Sequence, residues 1–294
     1  MRTDVAFDAA GTTLRGWLYV PDCAPPWPCI VMTHGFSALK EMGLDRYAEV
    51  FAAAGLACLV YDHRNFGASD GEPRQEVDPS AQMRDYGHAI TWAREQPGID
   101  PDRIGVWGTS YSGGLVLIAA ATDRRIRCVV SQVPFLSGLE TLRRVSTPDA
   151  IDALQGRLAS ERAARAAGAA PTLVPVCNDP PTPAGRSTHD YFFGYRERAG
   201  VAWTNAVTLS SLGYRLEYEA LPFAAHVAPT PLLMIVAADD DITPTDLALE
   251  AFERAGEPKQ CLVLPGAHYH PYHDGFAVSS AAARDWFRRH LDVH

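Results

Sequence analysis

The 294-residue sequence lacks the apolar stretches and the charge pattern of a membrane or nucleic-acid-binding protein. It has no uninterrupted apolar run of about 18 residues, which a membrane-spanning helix would need. Its first residues also lack the apolar core of a secretory signal. The formal net charge is −9 and no basic patch stands out, which argues against nucleic acid and anionic membranes as partners. We therefore expect a cytoplasmic protein.

Cysteine pairs and glycine-rich loops of the kind that hold metals or nucleotides are also missing. None of the six cysteines forms a Cys-x-x-Cys pair. Four of them, Cys29, Cys58, Cys128 and Cys261, fall in predicted strands, where free cysteine is a common small core residue, so we expect reduced thiols. No Gly-x-Gly-x-x-Gly or phosphate-binding loop follows a predicted strand. We expect neither a cofactor nor a resident metal.

What the chain does contain is a regular alternation of strand and helix patterns. Alternating apolar residues around Ala10-Gly11 predict an N-terminal antiparallel hairpin. Strand patterns then occur at 29–33, 57–61, 103–107 and 127–132, with helical patterns near 44–54 and 79–96. This alternation predicts an α/β fold with a mostly parallel sheet and helices on both faces. Ligands of such sheets bind at the carboxyl ends of the strands.

The alternation stops after Phe135 and resumes at Thr230. The intervening residues are too many for a plain connection, so we expect residues 136–229 to form a helical cap on a core domain of residues 1–135 and 230–294. Thr147-Pro148 is typical of a helix start, and residues 203–218 also look helical. Tyr191, Phe192 and Phe193 could form an aromatic wall for the substrate, or could instead fix the cap to the core.

Ser110 is the most informative residue. It lies in Gly108-Thr109-Ser110-Tyr111-Ser112-Gly113-Gly114, between a short apolar strand and a helical segment. This layout is that of a nucleophile elbow, a sharp turn that tolerates only small flanking residues. The usual pattern is Gly-x-Ser-x-Gly, and here Ser112 replaces the second glycine. A serine hydroxyl is a weak nucleophile, so Ser110 needs a base, an orienting acid and an oxyanion site.

The acid and the base are predicted on loops that follow two later strands. Asp239, Asp240 and Asp241 follow the apolar run 231–236, and we favour Asp240 as the acid, with Asp241 as the alternative. His268 follows the next apolar run, 260–264, and is our candidate base; His270 and His273 compete with it. For the oxyanion hole, the predicted donors are the backbone N–H groups of Phe36, on the glycine-containing loop after an early strand, and of Tyr111.

Together these residues resemble the α/β-hydrolase superfamily. The resemblance extends over nearly the whole chain and includes the segment 62–71, which is similar to the family's Asp-x-Arg-Gly-x-Gly-x-Ser turn with Asn65 in place of the first glycine. The elbow is similar to those of the dienelactone-hydrolase-like and X-prolyl-peptidase-like branches. The resemblance implies hydrolysis of an ester, lactone, thioester or amide through an acyl-enzyme on Ser110, and a structural role for the 62–71 turn.

Within that chemistry we expect hydrolysis of a small hydrophobic carboxylic ester or lactone. C–C bond hydrolysis, peptidase or amidase activity and acyl transfer are alternatives on the same triad. A metallohydrolase is a second enzyme class, because His268, His270, His273 and Asp274 are of metal-ligand type at short spacing. A non-catalytic ligand-binding protein on the same fold is the third class. The expected partner is a small-molecule substrate, and a homodimer remains open.

Overall fold

In the computed structural model, which describes residues 1–293, eight of ten strands form one sheet. The strands are β1 (Arg2–Ala9), β2 (Thr12–Tyr19), β3 (Trp27–Thr33), β4 (Ala57–Tyr61), β5 (Ile99–Thr109), β6 (Ile126–Gln132), β7 (Leu173–Val174), β8 (Val207–Thr208), β9 (Leu232–Ala237) and β10 (Lys259–Leu264). Their order in the main sheet is β1-β2-β4-β3-β5-β6-β9-β10, and β7 pairs with β8 separately.

Strand direction follows the sequence pattern. β1 and β2 form the predicted antiparallel hairpin, and β2 pairs antiparallel with β4. All other neighbours in the main sheet run parallel. β4 and β9 are buried along their whole length, as expected for parallel strands covered on both faces. The predicted α/β fold class is thereby confirmed.

Nine α-helices are described in residues 1–293: α1 (Leu44–Ala53), α2 (Pro79–Arg94), α3 (Tyr111–Thr122), α4 (Gly138–Val145), α5 (Pro148–Ala166), α6 (Arg186–Ala199), α7 (Leu209–Glu217), α8 (Thr245–Arg254) and α9 (Phe276–His290). Alternate residues of β3 enter different cores: Val31 joins one cluster, and Ile30 and Met32 join the other. The cluster of Ile30 also contains residues of α1 and α9, whereas that of Val31 contains residues of α2, α3 and α8. Both faces of the sheet are therefore covered by helices.

Residues 136–229 carry α4 to α7 and the β7–β8 pair, between β6 and β9 of the main sheet. Helix α5 begins as predicted, with Pro148 at its first position and the Thr147 hydroxyl accepting a hydrogen bond from the N–H of Ala150. The helix predicted over 203–218 is shorter, because residues 203–206 form a loop and helix α7 begins only at Leu209. Helix α6 was not predicted. The division into core and cap stays a prediction.

The geometry of the turn from Asp62 to Gly71 accounts for Asn65 in place of the first glycine of the pattern. Asn65 has φ 71°, a left-handed conformation that asparagine tolerates better than most residues. A Cβ atom on Gly67 would lie 2.3 Å from the Asp62 carboxylate, so that position requires glycine. Asp62 accepts hydrogen bonds from the N–H of Ala68 and from both nitrogens of Lys40. These contacts hold the turn together, as expected for a structural role.

All six cysteines carry free thiols, and four of them are fully or nearly fully buried. Burial raises the pKa of the Cys29 thiol to about 12. Among residues 1–293 no helix combines the length and apolar character that crossing a bilayer requires.

Candidate active site

Ser110 stands at the sharp turn between β5 and α3. Its backbone has φ 55° and ψ −119°, a strained conformation for a residue other than glycine. The turn is fixed to the end of β6, because the Ser110 N–H donates to the carbonyl of Gln132 at 2.9 Å and the Phe135 N–H donates to the carbonyl of Ser110 at 2.8 Å. A Cβ atom on Gly108 would lie 2.1 Å from the Ser112 carbonyl oxygen, so this glycine is obligatory. The elbow geometry expected from the motif is therefore present.

Ser112 replaces the second glycine of the usual motif and makes use of its side chain. Its buried hydroxyl donates to the carbonyl of His34, and its oxygen lies 2.9 Å from both the Thr33 hydroxyl and Nε2 of His63. Burial, followed by the nearby His34 and Arg64, lowers the pKa of His63, so this ring is neutral. The elbow packs closely against the end of β6 at Gly113 instead. A Cβ atom on Gly113 would lie 2.8 Å from the Gln132 carbonyl oxygen, so glycine is needed at this position.

The loops after β9 and β10 bring Asp240 and His268 to Ser110. Nε2 of His268 lies 3.1 Å from the Ser110 Oγ, and Nδ1 lies 2.8 Å from Oδ2 of Asp240. His268 and the Asp240 side chain are almost fully buried, whereas Asp239 and Asp241 are exposed. The three favoured residues of the predicted catalytic set therefore form one continuous chain of contacts.

Asp240 is held as a carboxylate. Burial by itself would raise its pKa, but His268, together with the N–H groups of Thr243 and Ile242, lowers the pKa below its ordinary value. Those two N–H groups donate to Oδ1 at 2.7 and 2.9 Å, and the Thr243 hydroxyl lies 2.8 Å from Oδ2. With the carboxylate charged, Nδ1 of His268 carries the proton and Nε2 is left to accept one from Ser110.

The loop after β3 packs directly against the nucleophile. A Cβ atom on Gly35 would lie 3.2 Å from Cβ of Ser110, so glycine permits this approach. His34 shapes the loop: its Nδ1–H donates to the Gly35 carbonyl and its Nε2 accepts from the N–H of His63. Tyr111 is the first residue of α3, so its N–H has no helical carbonyl to bind. Phe36 and Tyr111 both line the cavity at Ser110; their role as oxyanion donors stays a prediction.

A cavity of about 210 Å³ opens onto Ser110 and His268. Its lining is mainly apolar and aromatic, and most of the remainder is hydroxyl-bearing. Contributions come from the loops after β3, β6, β9 and β10, from the elbow and from residues between 136 and 229: Gly35, Phe36, Ala38, Thr109, Ser110, Tyr111, Phe135, Pro175, Val176, Thr188, Tyr191, Phe192, Val207, Leu212, Arg215, Ile242, Thr243, His268, Tyr269 and Tyr272. Such a lining suits an acyl chain.

The predicted aromatic wall is divided between two environments on α6. Tyr191 and Phe192 line the cavity. The Tyr191 hydroxyl also donates to the Met42 carbonyl at 2.9 Å, so this side chain both shapes the cavity and attaches α6 to the loop before α1. Phe193 lies outside the lining and packs against His189 and Trp203. Residues two apart on a helix point in nearly opposite directions, which separates Phe193 from Tyr191.

Sequence reasoning missed several cavity-lining residues, among them Thr243, Tyr269, Tyr272 and Arg215. Thr243, Tyr269 and Tyr272 lie next to predicted site residues, and their motif positions could have suggested them. Tyr272 hydrogen-bonds to Thr109 at the end of β5. Arg215 has no such signal, because a cation within a helical pattern is ordinarily exposed. Arg215 lines the cavity because α7, in the segment between β6 and β9, lies beside it.

The competing histidines lie elsewhere. His270 packs against Gly266 and Gly275, and His273 is exposed beside Tyr191. Burial, together with Arg198 and Arg46, lowers the pKa of His273. Across the part of the chain that the structure describes, no three His, Cys, Asp or Glu side chains are grouped as metal ligands would be. Of the three histidines, His268 is the one that contacts the nucleophile.

The sheet, the elbow and the Ser110–His268–Asp240 contacts define an enzyme of the α/β-hydrolase class. More specifically, the model of the X-Pro dipeptidyl-peptidase (S15) family matches residues 10–270, and the chain belongs to this family. The resemblance inferred from the motifs is thereby confirmed.

Relatives of similar length carry names from acyl-transfer chemistry. The thiohydrolase aneE of Aspergillus aculeatus is 36% identical over 270 residues, which cover 88% of this chain and 83% of that protein. The polyketide transferase grgF of Penicillium sp is 30% identical, over 99% of this chain and 97% of that one. The crystal structure of α/β hydrolase GrgF from Penicillium sp. sh18 has a TM-score of 0.86 and 28% identity, over 99% of both chains.

Proposed function

We propose that this enzyme transfers an acyl group from a thioester to Ser110, and from there to water or to a second nucleophile. The observation that carries the proposal is the Ser110–His268–Asp240 contact chain at an apolar cavity. Similarity to proteins named thiohydrolase and polyketide transferase supports a thioester as the acyl donor. Hydrolysis of a small hydrophobic ester or lactone, which the sequence led us to expect, is less well supported, because neither relative is named for it.

In the first half-reaction, Nε2 of His268 takes the Ser110 proton as Oγ attacks the thioester carbonyl. The resulting oxyanion is held by the N–H groups of Phe36 and Tyr111. The C–S bond then breaks, and the thiol leaves with the proton from His268. A thiol with an ordinary pKa of about 8.5 is a far better leaving group than an alcohol, so thioester cleavage depends less on proton donation.

In the second half-reaction, His268 removes a proton from water or from an acceptor hydroxyl, which attacks the acyl-Ser110 carbonyl. The tetrahedral intermediate collapses, and His268 returns the proton to Ser110 Oγ. Asp240 remains charged throughout and stabilises the imidazolium form of His268. The aromatic lining contributed by Tyr191 and Phe192 surrounds the acyl chain. The cytoplasmic location and the homodimer alternative stay predictions.

The test combines thiol release with intact mass. The protein is mixed with hexanoyl-N-acetylcysteamine, p-nitrophenyl hexanoate and an X-Pro dipeptidyl anilide, with and without an added alcohol. We expect thiol release and an acyl adduct on Ser110, both lost in Ser110→Ala and retained in Ser80→Ala, which removes an exposed serine on α2. The alcohol product measures transfer against hydrolysis. Turnover of the ester with no thiol release from the thioester would refute the proposal and favour the ester alternative.

A further inference from the structure

Arg215 is a charged residue of the cavity that the proposed reaction does not use. Its side chain is half-buried and lines the same cavity as Ser110. Within residues 1–293 its guanidinium donates no hydrogen bond to a protein group and forms no ion pair. Burial lowers the pKa of Arg215, and no neighbouring charge opposes that effect. The guanidinium lies near aromatic rings but has no hydrogen-bonding or ion-pairing partner among the protein groups that the structure describes.

Two cations on the loops after β3 and β4 differ in this respect. Lys40 pairs with the buried Asp62 at 2.6 Å, and Arg64 pairs with the buried Asp85. A charge removed from water is costly unless it is paired. No protein group in the described part of the chain forms a hydrogen bond or an ion pair with the Arg215 guanidinium, so a bound ligand could supply that partner.

The position of Arg215 is fixed relative to the nucleophile. A Cβ atom on Gly138 would lie 1.7 Å from the Arg215 carbonyl oxygen, so the start of α4 presses directly on this turn of α7. The guanidinium lies 4.9 Å from the ring centre of Phe135 and 5.7 Å from that of Phe36. Phe135 is itself bonded to the Ser110 backbone. These contacts hold the cation on the wall beside the elbow.

The residues that line the cavity include a positive charge but no negative one. No aspartate or glutamate lines it. The four lining tyrosines are neutral, because burial raises the pKa of each of them: Tyr111, Tyr191, Tyr269 and Tyr272. His268 is engaged by Asp240 and Ser110. Arg215 carries the one permanent charge among the lining residues, so the cavity favours a ligand with a negatively charged group.

We propose that Arg215 binds a carboxylate of the thioester substrate inside the catalytic cavity. This inference rests on the proposed function and deepens it by naming an acidic substrate class. A guanidinium matches a carboxylate with two parallel hydrogen bonds. The carboxylate comes either from the acyl chain or from the thiol portion of the thioester. Both sources share this chemistry, and the experiment distinguishes them.

The experiment compares three thioesters: hexanoyl-N-acetylcysteamine, adipoyl-N-acetylcysteamine, and the hexanoyl thioester of 3-mercaptopropionate. The first is neutral, the second carries a carboxylate on the acyl chain, and the third carries one on the thiol. We expect one charged thioester to have a kcat/KM roughly 10- to 100-fold above that of the neutral one, as for a hydrogen-bonded charge pair. The Arg215→Met variant should lose that preference, so that its kcat/KM for the charged thioester falls to near its own kcat/KM for the neutral one.

Two further variants make the result decisive. Arg157→Met removes a charge from an exposed position on α5 and should keep the preference, which controls for net charge. Arg215→Lys keeps the charge without the planar fork and should retain part of the preference, so the test holds even if Arg215→Met fails to fold.

Equal kcat/KM for all three thioesters in the wild-type enzyme would overturn the inference. An equal loss on all three in the Arg215 variants would also overturn it, since Arg215 would then only support Phe36 and Phe135. If no thioester acylates Ser110, the proposed function fails instead, and the charge preference is measured with p-nitrophenyl hexanoate and mono-p-nitrophenyl adipate.

Discussion

Removing the Ser112 hydroxyl should slow catalysis even though Ser112 does not touch the reacting atoms. Ser112 is the position where this elbow departs from the glycine pattern, and its hydroxyl binds the carbonyl of His34. His34 immediately precedes Gly35 and Phe36, whose N–H is the predicted oxyanion donor. The Ser112→Ala change therefore removes a hydrogen bond that ties the elbow to the loop of His34, Gly35 and Phe36.

The magnitude follows from the contacts. The hydroxyl contacts the His34 carbonyl, the Thr33 hydroxyl and the His63 ring, all of them buried. Leaving one buried polar group unsatisfied costs about 1–3 kcal/mol of unfolding free energy. Loss of a whole oxyanion donor lowers kcat by about 100- to 1,000-fold. A loosened but present donor should cost less, and we expect kcat to fall roughly 10-fold with KM little changed.

Ser131 offers a matched control. Its buried hydroxyl donates to the Gly113 carbonyl at 2.7 Å, so Ser131→Ala also removes a buried hydroxyl bond at the elbow but has no contact with the His34 loop. Urea unfolding and steady-state kinetics on the same thioester are measured for both variants. Similar losses of stability with a kcat loss in Ser112→Ala alone would support the reasoning. Equal kcat values in the two variants would refute it and reduce Ser112 to a packing residue.

Further predictions address the acid and the glycines. Asp240→Asn should lower kcat by about 10⁴-fold, because the amide stabilises the wrong tautomer of His268, whereas the exposed Asp241→Asn should stay near wild type; the reverse order in a kinetic assay would make Asp241 the acid. Because the folded state lowers the pKa of Asp240, its contribution to stability is present above the unfolded pKa and is lost as pH falls through the folded pKa. The difference in unfolding free energy between wild type and Asp240→Asn should therefore stay constant above about pH 4 and shrink as the pH falls further, and a difference that stays constant down to low pH would contradict the assignment. Gly156→Ala, at an exposed helix position with open space around it, should raise the unfolding free energy by about 0.5–1 kcal/mol. Gly108→Ala should lower it by several kcal/mol, because its Cβ atom would overlap the Ser112 carbonyl; comparable urea midpoints for the two glycine variants would be inconsistent with this packing.

The sheet and the three contacting residues could be predicted because local signals specify them. Buried parallel strands are continuous apolar runs, and their carboxyl ends share one edge, so Ser110, Asp240 and His268 were expected to converge from their positions alone. The choice of Asp240 among three adjacent aspartates depended on turn geometry. The structure places its carboxylate over the N–H groups of Ile242 and Thr243.

The parts that could not be predicted depend on long-range packing. Helix α6 carries aromatic and charged residues with no clear apolar face, and its buried residues are defined by contacts with distant segments, such as that of Tyr191 with Met42. Residues 203–206 are loop because the chain must first form the β7–β8 pair. Arg215 lies in the cavity because of how α4 and α7 pack, which no pattern in its own segment encodes.

The distance along the chain between nucleophile and base has a consequence for synthesis. Ser110 and His268 are 158 residues apart, and His268 follows β10, an edge strand that pairs with β9 alone. The residues of the elbow, including the strained Ser110, are therefore synthesised well before His268. The contact between Ser110 and His268 must wait until β10 has been added to the sheet. The order in which the strands are made therefore keeps the Ser110–His268–Asp240 contacts incomplete until synthesis of the chain is nearly finished.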